Sequence, residues 1–167
     1  FKTELFERYQ RNEQAFLLSM MEMVVNGVST RKVTKIVQEL CGETVSKSFV
    51  SDVMKRLDPE IEAFKNRTLT HSHFRYLYLD ALYIKVREEG RVVSKAVYLA
   101  QGVNEANKRE IIGFWVSEEE SKEAWLTFLQ SLRARGLSQP TLIISDAHSG
   151  LRAAIQHCFV AVSYTHL

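Results

Sequence analysis

Nothing in this 167-residue chain supplies the roughly 20 consecutive apolar residues of a membrane-spanning helix. Its start also lacks the basic, apolar and small-residue order of a signal peptide. A cytoplasmic protein with no membrane partner is the expectation. Cysteine is scarce as well. Cys41 and Cys158 stand far apart with no ligand-spaced companion, which argues for two reduced thiols over a disulfide framework or a zinc site. A large excess of one charge is missing too: the formal net charge is +2, and total charge therefore makes no case for nucleic acid. The distribution is more telling. Between Arg31 and Arg56, six bases (Arg31, Lys32, Lys35, Lys47, Lys55, Arg56) face three acids (Glu39, Glu43, Asp52).

What is present falls into two halves of different grammar. Residues 1–12 read as a helical or loose lead-in. From Glu13 to Val25 the apolar positions Phe16, Leu17, Met20, Met21, Val24 and Val25 recur at spacings of three and four, the stripe of an amphipathic helix, and Asn26-Gly27 ends it. Ser29 or Thr30 can cap a second helix with Val33, Ile36, Val37 and Leu40 inward, stopped at Cys41-Gly42. Ser46 can cap a third that buries Phe49, Val50, Val53 and Leu57, broken by Asp58-Pro59.

Three short helices over residues 13–58 suit a helix-turn-helix segment. Its third helix would offer Ser46, Lys47, Ser48, Ser51, Lys55 and Arg56 to a DNA groove, with Arg31 and Lys32 beside them. A plain three-helix bundle with a solvated basic face fits the same pattern. Residues 59–73 read as a linker or helical spacer.

The second half, 74–159, alternates as strands and helices. Phe74–Val86 reads as a strand with apolar residues on both faces and Asp80 in its middle. A carboxylate buried there would need a partner or a cation. Val92–Val103 and Glu110–Val116 complete an antiparallel meander. Ser117 and Glu120 have the spacing of a capping box for a helix that buries Ala124, Trp125, Phe128, Leu129 and Leu132 and closes at Gly136. Thr141–Ser145 is a fourth strand and Leu151–Phe159 a second helix.

The fourth strand ends in Asp146. Two strands that each deliver an aspartate can lie side by side and hold Mg²⁺ or Mn²⁺, since hard cations take oxygen ligands and one or two carboxylates commonly suffice. Simpler roles stay open: Asp146 as a helix N-cap, Asp80 in a salt bridge to Lys85 or Arg75. His148 reads as a loop histidine with a local hydrogen bond. His71 and His73 read as polar linker residues.

The stretches FERYQRNEQAF, NGVSTRKVTKIVQELCG, YLDALYIKVREEG and IISDAHSGLRAAI, in this order over about residues 5–159, resemble the mutator-type transposases of bacterial insertion sequences. The resemblance implies an α/β, ribonuclease-H-like catalytic core preceded by an all-α helix-turn-helix segment. It implies Asp80 and Asp146 as the first two carboxylates of an Asp-Asp-Glu triad, Asp80 bridging two Mg²⁺ ions and Asp146 holding one. It also implies double-stranded DNA as partner, both terminal inverted repeats and target, in a nucleoid-associated enzyme of bacterial cytoplasm, with a homodimer as a further expectation.

In that family the triad glutamate lies far downstream of the second aspartate, after a Cys-x-x-His segment and a helical insertion. Glu118 to Glu120 precede Asp146 and cannot fill that place, so the core is expected to be incomplete and this chain inactive alone. The closing VAVSYTHL departs from the family pattern and resembles translated adaptor sequence, so 160–167 is expected to be foreign to the fold. Two other classes compete: a DNA-binding transcriptional regulator whose aspartates are structural, and a metal-dependent nuclease that does not join strands.

Overall fold

The computed structural model describes the backbone of residues 4–42, 44–146, 148–160 and 163–166, and within those ranges the side chains from residue 13 onward, save 163, 164 and 166. It divides into two compact units, 1–62 and 63–167.

The first unit is helical: α1 (Glu4–Val25), α2 (Thr30–Cys41) and α3 (Lys47–Met54). Residues 4–12 of the lead-in are thus part of a single 22-residue helix, and residues 1–3 lie outside the described residues. Ser29 accepts from Lys32 N at the start of α2, and Ser46 accepts from Phe49 N at 3.0 Å at the start of α3. Gly42, at φ 71°, closes α2 in the left-handed conformation. Leu17, Met20, Val33, Val37, Val50 and Val53 form the core. Leu40, Val25 and Phe49 do not join it: they are 79%, 67% and 42% exposed. Leu40 ends its stripe one turn beyond the last residue that α1 and α3 can cover.

Asp58-Pro59 does not end the helical run. A 3₁₀ turn (Lys55–Leu57) leads straight into α4 (Asp58–Asn66), because proline in a first turn has no missing hydrogen bond to regret and its φ is already helical. Much of the stretch read as a linker or helical spacer is therefore helix.

The second unit is a five-stranded mixed sheet: β1 (Phe74–Glu88), β2 (Arg91–Asn104), β3 (Arg109–Ser117), β4 (Leu142–Ser145) and β5 (Ser163–His166), in the order β3-β2-β1-β4-β5. β1, β2 and β3 are an antiparallel meander, while β4 runs parallel to β1 and β5 to β4. Helices α5 (Lys122–Ala134) and α6 (Ser149–Cys158) complete the element order. Their Trp125, Phe128, Leu129, Leu132, Leu151, Ala154 and Ile155 pack with Leu77, Leu79, Ala96, Tyr98, Ala100, Ile112 and Ile143 in one core. The strand residues among these follow the period of two, so the core lies on one face of the sheet.

Three expectations change here. β1 is not covered on both faces: Leu77 and Leu79 are buried, but Leu82 and Ile84 are 40% and 39% exposed. Helix α5 is capped by Ser121, which accepts from Ala124 N at 3.1 Å; Ser117 is the last residue of β3, paired with Ala96, and cannot also turn to cap a helix. The charges of 118–120 thus precede the first turn, which holds Glu123. The segment set apart as foreign to the fold contributes β5, whose Ser163–His166 pair in register with Leu142–Ser145; residues 161, 162 and 167 of that segment lie outside the described residues. A short run of alternating residues satisfies the backbone of an open parallel edge whatever its origin.

A bulge in β3 leaves Ile112 opposite no single partner, since Ala100 pairs with Gly113 and Gln101 with Ile111. The Arg135 guanidinium closes this gap, donating to Ile112 O and, at 3.0 Å, to Arg67 O. Among the described residues no helix is long and apolar enough to cross a membrane.

Candidate active site

The parallel ladder between β1 and β4 pairs Tyr76 with Leu142, Leu77 with Ile143, Tyr78 with Ile144 and Leu79 with Ser145. Asp80 is the next residue of β1, and Asp146 is the residue that follows the end of β4. Neighbouring strands lie about 4.8 Å apart and equal steps along a parallel pair keep side chains on the same face. The two carboxylates therefore stand side by side, on the face opposite α5 and α6. They share an open cleft of about 350 Å³ with Tyr78, Leu99, Gln101, Ile111 and Ile144.

Both aspartates are exposed, which corrects the premise that Asp80 is desolvated in mid-strand. The face it occupies is the uncovered one. Among the described residues the Asp80 carboxylate has no ion pair or side-chain hydrogen bond, so neither Lys85 nor Arg75 neutralises it. Asp146 is not the N-cap of α6. That place belongs to His148, whose Nδ1 accepts from Leu151 N at 3.3 Å, while the His148 backbone N–H donates to Asp146 Oδ1 at 3.3 Å. Below them Ser145, 1% exposed, donates its hydroxyl to Asp146 O at 2.8 Å.

Two exposed carboxylates carried by adjacent strands, with open space in front, fit a Mg²⁺ ion that keeps several waters and adds substrate phosphate oxygens. Among the described residues no group of three or more His, Cys, Asp or Glu could hold a metal by itself. The donors here are thus a pair, and a pair of hard oxygen ligands suits magnesium or manganese better than zinc.

The other residues singled out in sequence lie in the helical unit. Arg31 and Lys32 open α2, Ser46 caps α3, Lys47, Ser48 and Ser51 are on α3, and Lys55 and Arg56 follow it; all are exposed. Ser48, Ser51 and Lys55 share the α3 face opposite Val50 and Val53. Three of these groups are engaged: Ser46 Oγ in its cap and, at 2.8 Å, with Ser48 Oγ, and Lys55 Nζ with Asp52 at 2.7 Å.

The sequence alone gives Gln101 no role and Glu120 only a capping one. Gln101 pairs with Tyr78, which places it on the carboxylate face, and a lone amide in an apolar strand was the available signal. Glu120 does not close a capping box with Ser117. Its side chain is 12% exposed and accepts from Trp125 Nε1 at 2.9 Å.

A mixed sheet of order 3-2-1-4-5, with one carboxylate on its central strand and another at the end of the neighbouring parallel strand, is a ribonuclease-H-like α/β core. The chain belongs to the mutator family of transposases, whose family model matches residues 1–166. It is 53% identical over 164 residues to the transposase for insertion sequence element IS256 in transposon Tn4001 of Staphylococcus aureus, an alignment that covers 98% of this chain and 42% of the relative. It is 47% identical over 169 residues to the transposase for element ISRM5 of Rhizobium meliloti, covering 96% and 42%. The chain thus spans about two fifths of the length of the curated relatives it matches. A solved HTLV-2 integrase catalytic core domain in complex with magnesium aligns with 60% of this chain and 63% of its own, at a TM-score of 0.32 and 12% identity. The fold assignment rests on strand order, not on that likeness.

Proposed function

We propose that the whole protein to which this chain belongs binds the terminal inverted repeats of its insertion sequence and performs Mg²⁺-dependent DNA strand cleavage and transfer in the bacterial cytoplasm. The helical unit would supply DNA recognition, and the α/β unit the first two carboxylates of the catalytic core. The observation that supports this reading best is the ladder register that sets Asp80 and Asp146 side by side at the mouth of one open cleft.

In this reading Asp80 and Asp146 are the protein's ligands to Mg²⁺. The ion's chemistry is to polarise the phosphoryl oxygen and offset charge on the departing oxygen. The residues of this chain bind and orient. Ser145 and His148 N–H fix the turn that carries Asp146, and the cleft beside Gln101 and Tyr78 receives the DNA backbone. A third acidic ligand comes from outside this chain, so the chain alone is expected to bind the ion weakly and to cut no DNA. On the helical unit, Lys47, Arg56, Arg31 and Lys32 would contact phosphates, and the serines of α3 the groove edges.

The test is a Mn²⁺ titration of the chain, native and as Asp80→Asn or Asp146→Asn, followed by the electron paramagnetic resonance of free Mn²⁺. Each variant should lose the binding seen in the native chain. The same substitutions at the matching positions of a full-length relative should abolish strand cleavage and leave inverted-repeat binding in place. Undiminished cleavage in either variant would overturn the assignment.

A further inference from the structure

We infer that Glu120 is a positioning residue for Asp146, acting through His148; the inference rests on the reading of Asp146 as a ligand to a divalent cation. Glu120 is anchored before it touches anything functional. Its backbone N–H donates to Tyr83 Oη at 3.2 Å. On either side, Tyr98 Oη donates to Glu119 O at 2.9 Å and accepts from Ser121 N at 3.2 Å. Two tyrosines standing on β1 and β2 thus clamp the turn that leads into α5.

From this clamped turn the Glu120 carboxylate reaches inward. Oε1 accepts from the indole N–H of Trp125, a residue with no exposed surface, and lies 3.3 Å from His148 Nδ1. That nitrogen offers one hydrogen-bonding site. It accepts from Leu151 N–H in one tautomer and donates to Glu120 in the other. Only the donating tautomer carries the link to Glu120: in the accepting one the Nδ1 lone pair faces the carboxylate oxygen with no proton between them. The gap between the starts of α5 and α6 has no slack: a Cβ on Gly150 would sit 3.0 Å from Lys122 N and 3.0 Å from His148 Cε1.

The path ends at the cleft. His148 held by its ring presents its backbone N–H to Asp146 Oδ1 at 3.3 Å, which selects one orientation of that carboxylate. The sequence of contacts is Trp125 indole, Glu120 carboxylate, His148 ring, His148 N–H, Asp146 carboxylate. Outer-shell groups of this kind orient the groups that hold a metal, and their loss typically lowers metal affinity by about 10–100-fold. Glu120 itself never reaches the ion.

The test is Mn²⁺ affinity of the intact chain, read by electron paramagnetic resonance, with thermal unfolding recorded alongside. Glu120→Gln is expected to weaken Mn²⁺ binding about tenfold. His148→Asn should do likewise, and the double variant should be no weaker than the worse single one, because the two lie on one path. A Glu120 that only braces the fold would lower the melting temperature and leave the affinity of the folded protein unchanged, and that result overturns the inference. Should Glu120→Gln not fold, Trp125→Phe removes the indole donor together with part of its buried ring and should give a smaller loss of the same sign; unchanged affinity there overturns the inference as well. The two readings separate cleanly. If Asp146→Asn abolishes Mn²⁺ binding and Glu120→Gln leaves it intact, only the positioning role fails. If neither aspartate variant alters Mn²⁺ binding, the site reading falls and takes this inference with it.

Discussion

Leu79 and Ser145 are partners in the parallel ladder, and each is followed by an aspartate. Leu79 is 2% and Ser145 1% exposed, so the last paired rung is buried on the helix face while the next residues emerge on the other. A slip of one residue in this pairing would turn a carboxylate into the core, and the cost of burying it fixes the register. Ser145→Ala should lower stability by about 1 kcal/mol through loss of its bond to Asp146 O. Chemical denaturation measures it.

Gly150→Ala tests the contact between the starts of α5 and α6. The new Cβ would meet Lys122 N at 3.0 Å and Lys122 Cα at 3.2 Å, backbone atoms that move only if a helix moves. A loss of about 1–3 kcal/mol is expected, as for other overpacked sites, read as a lower urea midpoint at unchanged slope.

Trp125 separates packing from hydrogen bonding. The ring packs edge-on to Tyr98, centroids 4.5 Å apart, and its N–H serves Glu120. Trp125→Ala should cost about 3–5 kcal/mol from the cavity. Trp125→Phe should cost about 1–3 kcal/mol, chiefly for the Glu120 oxygen left without its donor. Equal losses in urea titrations of the two variants would contradict this division.

Acid should weaken the junction between the 67–73 segment and β3. Burial raises the Glu110 carboxyl, but His71 at 3.3 Å and Arg67 at 2.6 Å outweigh it and hold the group below its usual 4.5. A depressed carboxylate stabilises the fold above its unfolded value, and that stabilisation disappears as pH falls below 4.5 through the folded value. Glu110→Gln should flatten this limb of a stability-against-pH curve and leave its neutral limb parallel to the native one.

The helical unit offers a salt test for DNA binding. Each lost phosphate contact should lower the slope of log K against log salt by about 0.9. Lys47→Ala and Arg56→Ala are expected to do so. Lys55→Ala should change it less, since its ammonium already pairs with Asp52 at 2.7 Å. Fluorescence anisotropy with an inverted-repeat duplex at several salt concentrations reads the slopes directly.

The meander, the two helices of the α/β unit and the caps at Ser29 and Ser46 were legible because each is written in local chemistry: alternation, a 3.6-residue stripe, a hydroxyl before a helix. What escaped depended on distant neighbours. Ser117 and Glu120 have capping-box spacing, yet pairing with Ala96 claims Ser117 for β3. Leu40 carries the right period and lacks a surface to meet. Asp80 looked like a buried charge because its strand is apolar on both sides, whereas α5 and α6 cover one face alone. Glu120 is set apart from Glu118 and Glu119 only by Trp125 and His148, five and 28 positions downstream, and no periodicity encodes that meeting.

β1 is one strand with two mechanical characters. Up to Leu79 it has β2 on one side and β4 on the other; past Tyr83, where β3 has left β2 at Ala96, it is half of a two-stranded ribbon that turns at Glu89-Gly90, both at positive φ. Such ribbons open at far lower free energy than a sheet interior. Amides of the outer ribbon should exchange with solvent long before those of Leu77 and Leu79, and fraying that begins at the tip is arrested next to Asp80. The carboxylate thus sits at the fixed end of a cantilever: the outer ribbon can fray while the group at its root keeps its place.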